Sequence, residues 1–395
     1  MKDSTPKRVA SIDILRALTM ILMIFVNDLW SLKDIPAWLG HVDAGEDGIG
    51  LADVVFPAFL FIVGLSLPYA IDNRRAKGDT DWQLVKHVVI RAIALLVMGV
   101  FLVNGETFNA EATGMARYLW NPICCICFIL LWNSYPKTMN PNLIYSLKGM
   151  AIAVLIVFAF IYRGGSEGNI ERFAPQWWGI LGLIGWAYLA SGLITVFVKN
   201  RFYIIIGAWI FFAVLSMLSH SNLIPAVFSF IPNAILGGTL TGLTLGGVLT
   251  AMIFQYFRNI TDNRTLTIVL ITFSVVLIVA SVLTRPYWGL AKLGATPAWL
   301  FLCSAFTILA FLSIYWLADV FGKVNWFSFI KPAGTDTLLC YLIPYFAYAT
   351  TRVLGIHLPE VILIGGIGLV KSLLFALLCV VITGGLNRLG VKLKL

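Results

Sequence analysis

Several polar residues in this sequence have the types and spacing that acid–base and anion chemistry need, and each lies in or beside a long apolar run. Asp13 and Arg16 stand three residues apart, so on a helix they share a face and can pair. Arg91 sits about one turn into a later apolar run. With Arg16 it offers two guanidinium groups, and guanidinium geometry suits the phosphates of an anionic ligand. Asn27 and Asp28 close the first run. A loop follows with His41, Asp43, Glu46, Asp47, Gly48 and Gly50, and the next run opens with Asp53 and Pro57. A histidine exchanges a proton near neutral pH, and a neighbouring carboxylate raises its basicity. Charge inside a membrane is costly, so Asp13, Arg16 and Arg91 each suggest a functional role. The competing readings are that Asp13 and Arg16 only lock a helix to its neighbours, and that Asp53 with Pro57 only shapes a helix entrance. His87, His220 and His357 lack such surroundings. The six cysteines show no metal-ligand spacing and read as buried apolar fillers.

These residues have to be held by membrane helices. Hydrophobic residues make up 59% of the 395, charged residues only 12%, and mean hydropathy is +0.90. A soluble domain carries about 25% charged residues. Apolar runs place spans at 9–30, 51–71, 88–104, 117–134, 147–162, 178–198, 203–218, 236–256, 266–284, 297–318, 335–354 and 361–384. The fifth and seventh look short, so the expectation is an all-α polytopic bundle of eleven or twelve transmembrane helices in a single domain, 1–395. The runs are apolar on all sides, which excludes the alternation of a porin-like barrel.

The net charge of +9 does not point to nucleic acid, because the basic residues are scattered between spans. With the N-terminus taken as cytoplasmic, the outside segments hold only Lys33, Arg117, Arg163, Arg172, Arg285, Lys292 and Arg352. Arg16, Arg91 and Lys371 fall within spans, and the rest of the 28, from Lys2, Lys7 and Arg8 to Lys394, lie inside. This bias predicts cytoplasmic N- and C-termini. Asp13 and Arg16 interrupt the first run and no small-residue cleavage site follows, so residues 1–30 read as a retained helix, not a signal peptide. Glycines at 237, 238, 242, 246 and 247 predict close helix packing.

The run Arg8-Val-Ala-Ser11-Ile-Asp13-Ile-Leu-Arg16, the ending Phe25-Val-Asn27, and His41 followed by Gly50-Leu-Ala-Asp53-Val-Val-Phe-Pro57 resemble the start of the heparan-α-glucosaminide N-acetyltransferase family. Arg91, Val103-Asn104, Arg117, Lys292 with Thr296-Pro297-Ala-Trp299, and Pro332-Ala-Gly334-Thr-Asp336 extend the likeness; Asp336 stands where the family carries asparagine. The resemblance implies a membrane-bound acyltransferase moving an acetyl group from cytoplasmic acetyl-CoA to a glucosamine-type amine across the membrane. It implies His41 and Asn27 as catalytic residues, His41 being either the base or a transient acetyl carrier. Arg16 and Arg91 would bind acetyl-CoA, and Asp13, Asp53, Asn104, Arg117, Lys292 and Asp336 would support the site or the acceptor. The expected partners are the lipid bilayer, acetyl-CoA and an amino sugar, with no metal and no nucleic acid, in the inner membrane of a bacterium; assembly into a homo-oligomer is left open. The competing class is a transporter or permease for a small anionic or sugar-like solute, which would also bury Asp13, Arg16 and Lys371 but should show paired discontinuous helices.

Overall fold

The computed structural model describes residues 9–166, 168–199 and 201–395; Lys2, Lys7 and Arg8 lie outside them. Among the described residues, twelve principal helices follow one another. They are α1 (Ala10–Asp28), α2 (Leu51–Ala76), α3 (Asp81–Asn104), α4 (Arg117–Trp132), α5 (Pro141–Ile161) and α6 (Gly179–Val198). The second half holds α7 (Phe202–His220), α8 (Thr239–Ile260), α9 (Asn263–Trp288), α10 (Pro297–Tyr315), α11 (Thr337–Val353) and α12 (Gly365–Arg388). Each overlaps one expected span, and the architecture is an all-α polytopic bundle. Among the described residues, ten helices are long and apolar enough to cross a membrane. The fifth and seventh are not the short ones: they have 21 and 19 residues, whereas α4 has 16 and α11 has 17.

Polar first turns explain why hydropathy shortened some spans. Helix α3 begins seven residues before its apolar run, because Thr80 and Gln83 form a reciprocal capping box. Helix α5 begins at Pro141, behind an Asn140 side chain that accepts from the Asn142 N–H. Proline suits that first position because its missing N–H would have had no helical partner.

Helix α8 is the most enclosed, while α5, α7, α9 and α12 leave most of their apolar surface uncovered, as lipid-facing helices do. The close packing expected from the glycines is present. A side chain at Gly64 would strike the Thr244 backbone, and one at Gly247 would strike that of Phe61, so α2 and α8 touch nearly backbone to backbone. Buried hydroxyls satisfy themselves locally: Thr250, Ser304, Thr307 and Thr383 each donate to the carbonyl four residues earlier.

The end of the bundle where α1 begins is called the near end below, and the end carrying residues 29–50 the far end. At the near end Val9 provides no side-chain cap for α1. Asp319, from the π-helical turn Trp316–Val320 after α10, caps it instead, accepting from the N–H groups of Ala10 and Ser11 at 3.3 and 3.0 Å. A carboxylate at a helix N-terminus also complements the helix dipole. At the far end Asp28, 2% exposed, accepts from Tyr348 at 2.9 Å, Lys371 at 2.7 Å and Ser372 at 2.6 Å. That buried pair ties α1 to α11 and α12. Lys371 is thereby accounted for within the bundle.

Candidate active site

His41 and Asp53 form a dyad at the far end. The Asp53 side chain is 2% exposed and the His41 side chain 48%, and Nδ1 of His41 lies 2.7 Å from Oδ1 of Asp53. The other carboxylate oxygen accepts from the backbone N–H groups of Val42 and Gly50, both at 3.0 Å. A carboxylate can only accept, so Nδ1 of His41 carries the proton and Nε2 is left with its lone pair. Asp53 is also the third residue of α2, and its carboxylate caps the helix start by accepting from the Gly50 N–H. The same side chain therefore starts the helix and orients the imidazole. Gly50 is needed for this geometry, since a side chain there would collide with the Gly40 carbonyl.

A late loop, 289–296, completes the surroundings. Asp47 accepts from Nε of Arg285 at 3.0 Å and from the Leu290 N–H at 2.7 Å, and the Gly48 N–H donates to the Leu290 carbonyl at 3.0 Å. The Leu290 N–H, with the Arg285 guanidinium, holds the Asp47 carboxyl below the usual carboxylate range. The indole N–H of Trp299 donates to the Asp53 carbonyl at 2.9 Å. These contacts bring Lys292 to His41, with Nζ 3.1 Å from Nδ1 and 3.3 Å from Nε2. A point nearly equidistant from both ring nitrogens cannot lie in the ring plane at that range without colliding with the carbon between them. The ammonium therefore sits over one imidazole face and leaves the in-plane lone pair of Nε2 open.

A cavity of about 700 Å³ enters the bundle from the near end. Val9, Asp13, Arg16, Met20 and Met23 of the α1 side line it, along with Ser66 and Asn73 of α2, Arg91 of α3, Tyr188 of α6, and Asp336 and Tyr341. From Val9 to Met23 the helix rises about 20 Å, out of a hydrocarbon thickness of about 30 Å. Arg16 donates to Asp13 at 3.2 Å, to the Gly334 carbonyl at 3.1 Å and to Ser66 at 2.6 Å. The expected Asp13–Arg16 pair is thus formed, and the same guanidinium also ties α1 to α2 and to the turn before α11. Arg91 lies with its guanidinium carbon 4.9 Å from the centre of the Tyr188 ring, and its buried Nε has no hydrogen-bond partner.

The remaining sequence-picked residues fall in three places. Asn27 is exposed, one turn beyond Met23 on the stripe Asp13, Arg16, Met20, Met23, so it continues the cavity face of α1 to the far end. Asp336 lines the near end of the cavity and accepts from Asn387 at 2.8 Å. Asn104 is fully buried and donates to the carbonyls of Val100 and Ala174, both at 2.7 Å, while Arg117 donates to the Glu106 carbonyl. Those last two hold the 105–116 and 163–178 connections together. Sequence reading did not find the Asp28–Lys371 pair or the Asp319 cap. An acid at the end of one apolar run and a lone lysine inside another were the available signal for the first.

Residues 8–113 match the family model described as heparan-alpha-glucosaminide N-acetyltransferase, catalytic. The human heparan-alpha-glucosaminide N-acetyltransferase is 31% identical to this chain over 106 residues, and the mouse protein 31% over 107. Each of these matches covers 26% of this chain and 15% of the relative. The matched stretch contains Asp13, Arg16, Asn27, His41, Asp53, Arg91 and Asn104, which include both halves of the dyad and both cavity arginines. Over residues 8–113, about a quarter of its length, the chain is similar to the catalytic region of the heparan-alpha-glucosaminide N-acetyltransferase family.

Proposed function

We propose that this protein is a membrane N-acetyltransferase that takes the acetyl group of cytoplasmic acetyl-CoA and delivers it to the amine of an amino sugar on the opposite side. The observation that carries this reading is the arrangement of two cationic side chains and an oriented imidazole. Arg16 and Arg91 line a cavity that opens at the near end, and the His41–Asp53 dyad stands at the far end. The charged end of acetyl-CoA needs cations, and its long pantetheine arm needs a narrow path through the bundle. An amine nucleophile must lose a proton, and Nε2 of His41 is the available acceptor. Alternatively Nε2 attacks the thioester and carries the acetyl group to the amine. Asn27, on the same stripe of α1 toward the far end, would donate to the carbonyl oxygen as charge develops there.

Purified protein is expected to bind labelled acetyl-CoA and to pass the label to an amino sugar in a panel of acceptors. Arg91 is the cleaner cation to test, because Arg16 also braces Gly334 and Ser66. Arg91→Leu should leave the protein folded and weaken acetyl-CoA binding by roughly ten- to hundredfold, the worth of one charge-assisted contact. Unchanged affinity would assign Arg91 to packing on Tyr188.

The orientation follows from the charge bias and is tested separately. Asp43 and Lys77 are both exposed, and the native cysteines among the described residues are all buried. A cysteine at Asp43 should react with an impermeant thiol reagent added to intact cells, and one at Lys77 only after lysis. The reverse pattern would put His41 on the acetyl-CoA side and end the proposed route.

A further inference from the structure

Lys292 does nothing in the proton transfer assigned to the His41–Asp53 dyad, yet its ammonium lies 3.1 Å from the imidazole ring. Its position is built by the fold. The loop carrying it is fastened to the His41 loop through Asp47, Arg285, Gly48 and Leu290, and Trp299 just beyond it grips the Asp53 backbone. Contact between Lys292 and His41 spans 251 positions in the chain, so local structure cannot account for it.

From this geometry we infer that Lys292 is the catalytic cation for acyl transfer at His41, its ammonium donating a hydrogen bond to the oxygen of the tetrahedral intermediate. The inference rests on the acetyl-transfer reading above. In the reaction, the nitrogen nucleophile forms a bond to the thioester carbonyl carbon, and the carbonyl π pair moves onto oxygen. Collapse of the intermediate restores the carbonyl and breaks the carbon–sulfur bond, expelling the thiolate. The proton lost by the amine passes to Nε2 and from there to the sulfur. Lys292 keeps its own protons throughout. It is 3.3 Å from Nε2 and over the ring face, so an acyl group delivered in the ring plane can turn its oxygen toward the ammonium without displacing it. A fixed cation aimed at developing charge acts only in the transition state and therefore raises kcat.

The groups facing Lys292 set the pH dependence. They are His41 below and Asp53 behind it; Asp47 and Arg285 are bonded to each other, and His220 is held by the carbonyls of Ser216 and Gly294. Burial pulls the Lys292 ammonium below its usual range, with Asp53 opposing. If the cation is the working form, kcat falls as pH rises through that lowered value. Arginine keeps its charge far above this range.

The test measures kcat, KM and acetyl-CoA affinity across pH for wild type, Lys292→Met and Lys292→Arg, with thermal stability as the fold control. Lys292→Met is expected to lose about 10²- to 10³-fold in kcat, as for removal of one oxyanion donor, with acetyl-CoA affinity unchanged. Lys292→Arg should recover part of the rate and move the alkaline limb to higher pH. An active wild type with Lys292→Met within threefold in kcat would overturn the role of Lys292 alone. Equal losses in both variants with the alkaline limb unmoved would do the same, marking the residue as a structural brace. A wild type that transfers acetyl to no amine would overturn the acetyltransferase reading beneath it.

Discussion

His41→Ala is expected to abolish acetyl transfer while acetyl-CoA still binds. The imidazole stands at the far end, whereas Arg16 and Arg91 line the cavity at the near end, so the variant keeps the groups assigned to the charged end of the cofactor. Loss of a general base costs about 10²- to 10⁴-fold in rate, and loss of a covalent carrier at least as much. His41 is half exposed, and its removal leaves Asp53 still bonded to the Val42 and Gly50 N–H groups, so the fold should persist. Equilibrium binding of labelled acetyl-CoA and single-turnover transfer to an amino sugar measure the two properties separately. Transfer near the wild-type rate would end the mechanism, whatever the family match over residues 8–113. A variant that lost binding and transfer together would instead place His41 in the cofactor site.

Asp53→Asn should reduce transfer nearly as much, through the tautomer of His41. The backbone N–H groups of Val42 and Gly50 need an acceptor, so the carboxamide oxygen turns toward them. That turns the amide NH₂ toward Nδ1, which must then accept instead of donate. The imidazole proton moves to Nε2, and the lone pair needed for proton abstraction or acyl transfer is gone. In a serine protease triad, the same kind of exchange at the orienting aspartate lowers kcat by about 10⁴-fold, and a loss of about 10³- to 10⁴-fold is expected here. Asp53→Ala is the less informative variant, because it also removes the acceptor that starts α2. The kcat of Asp53→Asn, with melting temperature alongside it, separates the tautomer effect from loss of the cap. A well-folded Asp53→Asn enzyme with kcat within tenfold of wild type would show that Asp53 serves the helix and not the histidine.

Much of this arrangement was legible in the sequence, and the parts that were not share a cause. Asp13 and Arg16 were readable as a pair because three residues on a helix bring side chains to one face, and they are 3.2 Å apart. His41 stood out by its loop, but the carboxylate that meets it is Asp53 on the next helix, whereas the nearer Asp43 and Glu46 are exposed. Asp47, from the same acidic cluster, binds Arg285. Counting carboxylates near a histidine in sequence could not choose among them, since the loop's path decides which one turns inward. Lys292 was legible only through family likeness. Nothing within its own loop indicates a contact with a ring 251 positions away.

What the sequence determined by itself was the solvent and the period. Repeated apolar runs of about 20 residues leave the chain no soluble alternative, because unpaired backbone groups cannot be left in hydrocarbon and each run must close its own hydrogen bonds as a helix. Local capping then set where helices begin, as Thr80 and Asn140 show. Tertiary packing decided what the polar residues do. Direct backbone contact at Gly64 and Gly247 fixes how α2 sits on α8, and Asp28 with Lys371 fixes the far end of α1. The Asp47–Arg285 staple carries Lys292 onto His41. Hydrophobicity is a property of each segment and reads along the chain. Which buried charge meets which depends on how the segments pack around one another, and in a bilayer an unmet charge is costly enough that packing has to answer it.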